Sequence, residues 1–272
     1  MQFKSFKKIP MLFSFVIPTY NRSNKVMRAI NSVINQPDYE KHAEIIVVDD
    51  CSTDQTVSFL EIYKKQINLI KHPVNKGVAL AKNTGIMNAK GEYVVLLDSD
   101  DLLDHHGLNH LINLVSNHSE DIFFCGSRIL NEDRLMYDPN FNGPKSYYDL
   151  LINPVGEYLP VCRTQMMKNN LLRDLRGYES VTWLGLAKKG YLLYFDSKPI
   201  RIYDNDGDDR ISNRLNGLRN SVQMKDGYVL YLKEFGFDLK YLNYSEYLKI
   251  NFKLFCYYIA SFSFLKLKLN KD

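Results

Sequence analysis

Through its first half the chain alternates short β-branched runs with segments whose apolar residues recur at helical spacing. Strands that are apolar throughout bury both faces only in a parallel sheet covered by crossover helices, so this alternation predicts an α/β fold. Phe13 to Ile17 reads as a buried strand, and Val26, Ile30, Val33 and Ile34 form the apolar face of a helix that Ser23 is placed to cap. Strands at Glu44 to Val48, Asn68 to Lys71 and Tyr93 to Leu97 come next. Between them lie a helix carrying Val57, Leu60 and Tyr63, with capping oxygens from Ser52 to Asp54, and a helix from about Gly77 to Asn88. A helix near His105 to Asn117 and a strand at Ile122 to Cys125 continue the series.

From Asn131 to Pro160, Asn, Asp, Pro and Tyr dominate, which predicts loops with short elements on a variable surface. A helix from about Glu179 to Lys189, stopped by Gly190, precedes a strand at Tyr191 to Phe195. Beyond Arg210 aromatic and basic residues take over, so a boundary is expected near residue 210. That gives one domain over 1–210, with halves of about 1–125 and 126–210, and a helical C-terminal extension over 211–272.

At 272 residues with a formal net charge of +4, the chain is large enough for one sizeable core. Its charge is too small and dispersed for a dedicated nucleic-acid binder. The cysteines Cys51, Cys125, Cys162 and Cys256 lie far apart without a CxxC pair, which suggests neither a zinc site nor a disulfide framework and fits a reducing cytoplasm. The basic, apolar N-terminus is broken by Pro10 and Pro18 and runs straight into the first strand, so it is not read as a signal peptide. No run reaches the roughly 18 apolar residues that a membrane-spanning helix needs.

Four polar segments end strands or open helices in a fixed order. Pro18-Thr19-Tyr20-Asn21-Arg22 ends the first strand, where open α/β sheets gather ligands and where Tyr20 can hold a flat base; an ordinary turn is the alternative. Asp50 ends the second strand and can accept hydrogen bonds from a ribose or a uracil imide, beside plain helix capping by Ser52 and Asp54. Gly77 lets backbone approach a ligand, and Lys82 carries a cation onto the adjoining helix, although small residues there also suit close packing. The fourth is Asp98-Ser99-Asp100-Asp101 after an apolar strand. Three carboxylates so close repel one another unless a cation or solvent compensates them. Hard oxygens of this kind suit Mg²⁺ or Mn²⁺ shared with substrate phosphates, with a solvated acidic loop as the alternative.

VIPTYNR, VVDDCSTDQT, NKGVALAKNTG and GEYVVLLDSDD resemble, in order and spacing over about residues 12–104, the family 2 glycosyltransferases of the GT-A fold. The resemblance implies a single, mostly parallel mixed sheet flanked by helices. It also implies inverting transfer of a hexosyl or N-acetylhexosaminyl group from a nucleotide diphosphate-sugar donor, with uridine diphosphate expected, by direct displacement. It assigns Pro18, Tyr20 and Asp50 to the nucleoside and Asp98-Ser99-Asp100 to the family's DxD motif; with Asn21, Gly77 and Lys82 from the residue reading, Pro18, Tyr20, Asp50, Asp98 and Ser99 are the expected contacts of the donor nucleotide. Asp100, with Asp98, is assigned to a divalent Mn²⁺ or Mg²⁺. Family members open a later helix with a Glu-Asp pair whose aspartate is the base. Here Tyr178-Glu179 stands there, so Glu179 is the expected base, against a plain role at the helix N-terminus. A histidine that often helps hold the metal is absent from 202–212, where Asp206 or Arg210 is expected to meet the metal or the diphosphate, unless the segment is a solvated turn.

The segment 247–268 mixes aromatic residues with Lys253, Lys266 and Lys268, and either lies in a membrane interface or packs as a terminal helix. The expected partners are therefore the sugar donor, a glycan or lipid-linked glycan acceptor, and peripherally the inner face of the plasma membrane. Cell-surface polysaccharide or lipopolysaccharide synthesis is the expected setting. A sugar-phosphate nucleotidyltransferase is the nearest rival, but the Gly-rich, Arg-containing loop that such enzymes carry after their first strand is replaced here by Pro18 to Arg22. A non-catalytic nucleotide-sugar binder would suit the altered Glu-Asp pair.

Overall fold

The structure, a computed structural model, describes residues 11–132, 134–153, 156–175, 179–204 and 220–269. The chain divides into two compact units. One contains Met1–Pro144, Gly156–Leu171 and Leu192–Asn205; the other contains Lys145–Val155, Leu172–Tyr191 and Asp206–Asp272. The boundary expected near residue 210 lies outside the described residues.

The first unit is built on one mixed sheet. Its strands are β1 (Phe13–Thr19), β2 (Ala43–Asp49), β3 (Ile67–Lys71), β4 (Tyr93–Leu96), β5 (Leu102–Leu103), β6 (Ile122–Ile129), β7 (Gly143–Lys145), β8 (Tyr158–Arg163) and β9 (Leu193–Tyr203). They run in the order β3-β2-β1-β4-β8-β6-β9-β5, with β7 also paired to β9. The β1/β2, β2/β3, β1/β4 and β6/β9 pairs are parallel. The expected parallel series thus holds over β1 to β4. The antiparallel β8 is then inserted between β4 and β6. It lies partly in the stretch read as loops, because its Pro160 and turn-rich surroundings mask a short buried strand.

Helices cover this sheet: α1 (Ser23–Ile34), α2 (Tyr39–His42), α3 (Thr56–Leu60), α4 (Val78–Asn88), α5 (Gly107–Asn117) and, later in the chain, α7 (Thr164–Asn169). Val26, Ile30 and Val33 of α1 pack with Phe15, Ile17 and Val47 in one core. Ser23 does not cap α1: it is the first helical residue, and Arg22 takes the cap position without a capping bond from its own side chain, its N–H donating instead to Thr56 Oγ1 at 3.0 Å. Asp54 does hold the start of α3, accepting from the Thr56 N–H at 2.9 Å, whereas Ser52 is drawn away to the β1–α1 loop.

The second unit holds α6 (Tyr147–Ile152), α8 (Glu179–Lys188), α9 (Ser221–Leu242) and α10 (Tyr244–Leu269). Gly190 comes after α8 with φ +92°, the left-handed conformation that glycine adopts without strain and that ends a helix.

Helix α4 lies unusually close to the sheet. A Cβ at Gly85 would stand 2.3 Å from Val16 Cγ1; in the turn after the helix, one at Gly91 would stand 2.6 Å from the Phe13 carbonyl carbon. Small residues there thus serve packing, and the same approach sets Lys82 against the end of β4. Alanine at an exposed helical glycine normally stabilises; at Gly85 it should instead destabilise by about 1–3 kcal/mol, because β1 cannot recede. Urea unfolding of Gly85→Ala checks the sign.

Candidate active site

Strand order turns over between β1 and β4: the chain runs from β1 outward through β2 and β3, then returns to place β4 on the other side of β1. A crevice opens at the carboxyl ends of the strands flanking such a switch. Here β1 stays paired with β2 as far as Thr19↔Asp49, whereas its pairing with β4 ends at Val16↔Leu96. Pro18 therefore lies beyond the β4 ladder and forfeits no hydrogen bond on that side. Tyr20, Asn21 and Arg22 leave from β1, Asp50 from β2, and Asp98 to Asp101 from β4, all at this edge.

The three carboxylates after β4 are met by three cations from three different elements. Lys82 of α4 is buried and its Nζ lies 2.9 Å from Asp98 Oδ1. Arg22 reaches across the switch point to Asp100 Oδ2 at 2.6 Å. Arg201 of β9 donates from Nε to Asp101 Oδ2 at 2.5 Å and from a terminal nitrogen to the Tyr158 carbonyl at 2.8 Å. Asp101 is only 1% exposed, and its Oδ1 is buried without a hydrogen-bond partner among the described residues.

Burial pushes all three carboxyls upward, but the outcomes differ. At Asp98 the charges of Lys82, Arg201 and Arg22 outweigh burial and hold the carboxyl below its ordinary range. At Asp100 burial and the neighbouring Asp98 prevail over Arg22, and the carboxyl is raised. Asp101 is raised by burial despite Arg201, with Asp98 and Asp100 adding to the effect. Burial alone would lower Arg201, but Asp101, Asp98 and Glu157 raise it and keep it cationic.

Asp50 is enclosed in a different way. Its Oδ1 accepts from the Lys76 N–H at 2.9 Å and lies 2.7 Å from His72 Nδ1, while Oδ2 accepts from the Gly77 N–H at 2.7 Å. A carboxylate has about four acceptor sites, and this loop uses three of them. Asp50 therefore latches the loop from His72 to Gly77 and retains little capacity for a base or ribose. Gly77 sits at φ 91°, ψ 158°, a conformation open essentially to glycine alone, and in it the N–H points at Asp50.

Asn21 also holds neighbouring backbone. With φ 51°, it accepts at Oδ1 from the Thr53 N–H at 2.8 Å, and its own N–H donates to Ser52 Oγ at 2.9 Å. Tyr20, just before it, is 45% exposed. Ser99 is buried within the acidic turn, whose Asp101 N–H donates to the Asp98 carbonyl at 3.0 Å.

Asp206, Arg210 and Tyr178 lie outside the described residues. Asp204, the first acidic residue of that stretch, is buried and ion-paired with Arg28 at 3.0 Å. Glu179 is exposed and opens α8 in the second unit. Sequence reading missed three residues of the first unit: Arg22, Arg201 and His72. Arg22 adjoins the tyrosine motif, and Arg201 is a lone cation between Ile200 and Ile202 in an apolar strand pattern. His72 gave no periodic signal.

Among the described residues no group of three or more His, Cys, Asp or Glu side chains is arranged to hold a metal ion unaided. The donor set at the end of β4 fits the other arrangement, in which one or two carboxylates share a hard cation with phosphates. Asp98 and Asp100 are two residues apart, their side chains 36% and 23% exposed, and both supply hard oxygens.

The sequence model of the family described as Glycosyl transferase family 2 matches residues 14–175, more than half of the chain. The chain belongs to this family. It is 32% identical over 190 residues to the protein named as a teichuronic acid biosynthesis glycosyltransferase, TuaG, of Bacillus subtilis, a match covering 67% of this chain and 75% of that one. It is 27% identical over 261 residues to the GalNAc(5)-diNAcBac-PP-undecaprenol β-1,3-glucosyltransferase of Campylobacter jejuni, covering 90% and 82%. The poly(ribitol-phosphate) β-N-acetylglucosaminyltransferase TarS of Staphylococcus aureus is matched over 44% of this chain but only 22% of its own length. In fold, the chain resembles a crystal structure of TarS residues 1–349 with UDP-GlcNAc, at TM-score 0.66 and 22% identity over 82% of this chain and 67% of that one. It also resembles a mannosyltransferase from Pyrobaculum calidifontis with GDP-Man and Mn²⁺, at TM-score 0.63 and 19% identity over 92% and 74%. This is a glycosyltransferase with a GT-A fold.

The Arg201–Asp101 pair yields a prediction about stability. Arg201→Met should cost about 3–5 kcal/mol by leaving Asp101 buried without its counter-ion, and adding Asp101→Leu should recover much of that loss. Urea unfolding of the two single variants and the double variant closes the cycle.

Proposed function

We propose that the protein moves a sugar from a nucleoside diphosphate, uridine diphosphate first among them, onto a hydroxyl of a glycan or lipid-linked glycan. The setting we infer is cell-surface polysaccharide synthesis at the cytoplasmic side of the membrane. The observation that carries the reading is the paired, partly exposed Asp98 and Asp100 at the switch-point crevice, with the exposed Tyr20 ring leaving the same sheet edge. The donors named in the solved relatives' complexes and the undecaprenol-linked acceptor named for the Campylobacter enzyme support the choice of substrates.

In this reading Tyr20 stacks on the base, while Asp50 and Asn21 act mainly by fixing the loops around it. Pro18, Ser99 and Gly77 shape the pocket wall. Lys82 and Arg22 hold the acidic turn in place and lie where an incoming diphosphate would meet positive charge. Asp100 and Asp98 would hold Mg²⁺ or Mn²⁺, which when bound offsets the charge that builds on the departing diphosphate. Asp206 or Arg210 would complete this end of the site.

Glu179 would serve as the base. As the acceptor oxygen bonds to the anomeric carbon, the bond from that carbon to the diphosphate oxygen breaks and its electron pair leaves with the diphosphate. The acceptor proton passes to the Glu179 carboxylate, and the configuration inverts. Exposure of Glu179 at the first turn of α8 supports this role, since a base must be open to its acceptor.

Asp100→Ala is expected to lower transfer by about a hundredfold or more and to remove metal-dependent donor binding, with an unchanged melting temperature. Full activity of that variant in excess chelator would sink the metal role. Glu179→Gln should lose about 10²–10⁴ in turnover while still binding donor, read by single-turnover kinetics and donor titration. Wild-type turnover in Glu179→Gln would remove this residue from the chemistry.

A further inference from the structure

Helix α10 is apolar on two opposite sides, and only one is covered within its own unit. Towards α9 it buries Ile250, and Tyr257 stacks on Tyr228 of α9 with ring centroids 5.6 Å apart. At about 100° per residue, Leu248, Phe252, Phe255 and Ile259 fall on a single narrow stripe roughly opposite Ile250 and Tyr257. These four residues are 50%, 67%, 60% and 53% exposed, and Tyr244, one turn earlier on the same stripe, is 56% exposed. Helix α9 adds Phe237 and Tyr241, which pack ring to ring at 4.8 Å and are 74% and 75% exposed.

Isolated exposed apolar residues are ordinary, but a continuous row along three turns marks a surface that meets a partner. The charges beside it select the partner. Lys249 and Lys253 run along one flank of the row and are exposed, Lys249 paired with Glu246 of the same helix at 3.1 Å. From Tyr244 to the end of the sequence there are five lysines, Lys249, Lys253, Lys266, Lys268 and Lys271, against two acidic residues, Glu246 and Asp272. A helix pairing with a second copy of itself would be favoured by balanced flanking charges, whereas this flank, with Lys249 and Lys253 against the single Glu246, keeps a net positive charge that repels its own kind. Anionic headgroups above an acyl layer complement both the lysines and the aromatic row. Among the described residues no helix is long and apolar enough to cross a membrane, so the contact lies in the plane of the surface.

We propose that the outward face of α10, from Tyr244 to Ile259, docks on an anionic phospholipid surface, with the rings at the headgroup boundary and Lys249 and Lys253 on the phosphates. This names the surface for the membrane placement inferred above. The readout needs neither donor nor acceptor, so its failure leaves the transfer reading standing, and failure of transfer leaves it untouched.

The test is sedimentation of the full chain with vesicles of phosphatidylcholine alone and of an equal mixture with phosphatidylglycerol, at low and high salt, with light scattering of the free protein. Binding is expected on the mixed vesicles, about tenfold or more weaker on phosphatidylcholine, and falling with salt. Phe252→Ser/Phe255→Ser and Lys249→Glu/Lys253→Glu should each weaken it by about tenfold, with helix content and melting temperature as in the parent. Absence of binding to the mixed vesicles, or binding that neither pair of substitutions alters, overturns the proposal. So does a parent chain that is dimeric in solution and becomes monomeric with Phe252→Ser/Phe255→Ser, which would make a second copy the occupant of this face.

Discussion

Three carboxylates within four residues can stand at the end of a buried strand only where positive charge is brought to them, and most of the first unit's architecture serves that requirement. Lys82 arrives because Gly85 lets α4 lie against β1. Arg22 arrives because β1 outruns its pairing with β4 and turns over the crevice. Arg201 arrives on β9, which lies beyond β8 and β6 from β4 in the sheet. Each cation takes one aspartate, and the cations differ in what they leave behind. Arg201 and Asp101 are both buried, a fixed strut, whereas Asp98 and Asp100 keep part of their surface open. The turn therefore presents two carboxylates outward and anchors the third.

The other side of the crevice is held by backbone. Asp50 and Asn21 gather N–H groups from the loops after β3 and β2, so the wall beneath Tyr20 is fixed by groups that no substrate needs to supply. Such prior ordering lowers what binding must spend on arranging the site. It also separates two roles that spacing alone merges. A residue at this edge can stay open to solvent, as the exposed Tyr20 does, or be spent on holding its neighbours, as the enclosed Asp50 is.

The sequence made the parallel half legible because its strands are apolar throughout and its helices carry one-sided patterns. The bounds of β1 to β4 and of α4 fall within a residue or two of those read from periodicity, and Gly190 marked the end of α8 through its backbone conformation. The antiparallel insertion was illegible for a physical reason: β8 owes its place to neighbours on both sides, Tyr93 to Val95 and Ile122 to Gly126, and not to any pattern of its own. At the site, residue types that announce their chemistry were readable in place, as with the Asp98 to Asp101 cluster. The residues that balance them were not, since Arg201 meets Asp101 across a hundred positions of chain and only the folded sheet brings the two together.

That separation bears on the order in which the protein can assemble. Everything from β1 to the acidic turn has been synthesised by Asp101, yet β4 then has only β1 beside it, and its other edge stays open until β8 at Tyr158–Arg163 emerges. The counter-ion of Asp101 comes later still, on β9. A growing chain thus carries the whole acidic turn around an unsatisfied buried charge and an unpaired central edge, the state in which strands pair wrongly or recruit chaperones. Long-range closure of this kind slows folding. It also means that the two halves of the sheet cannot be treated as separable modules: the half that carries the acidic turn depends on the other half for its charge balance.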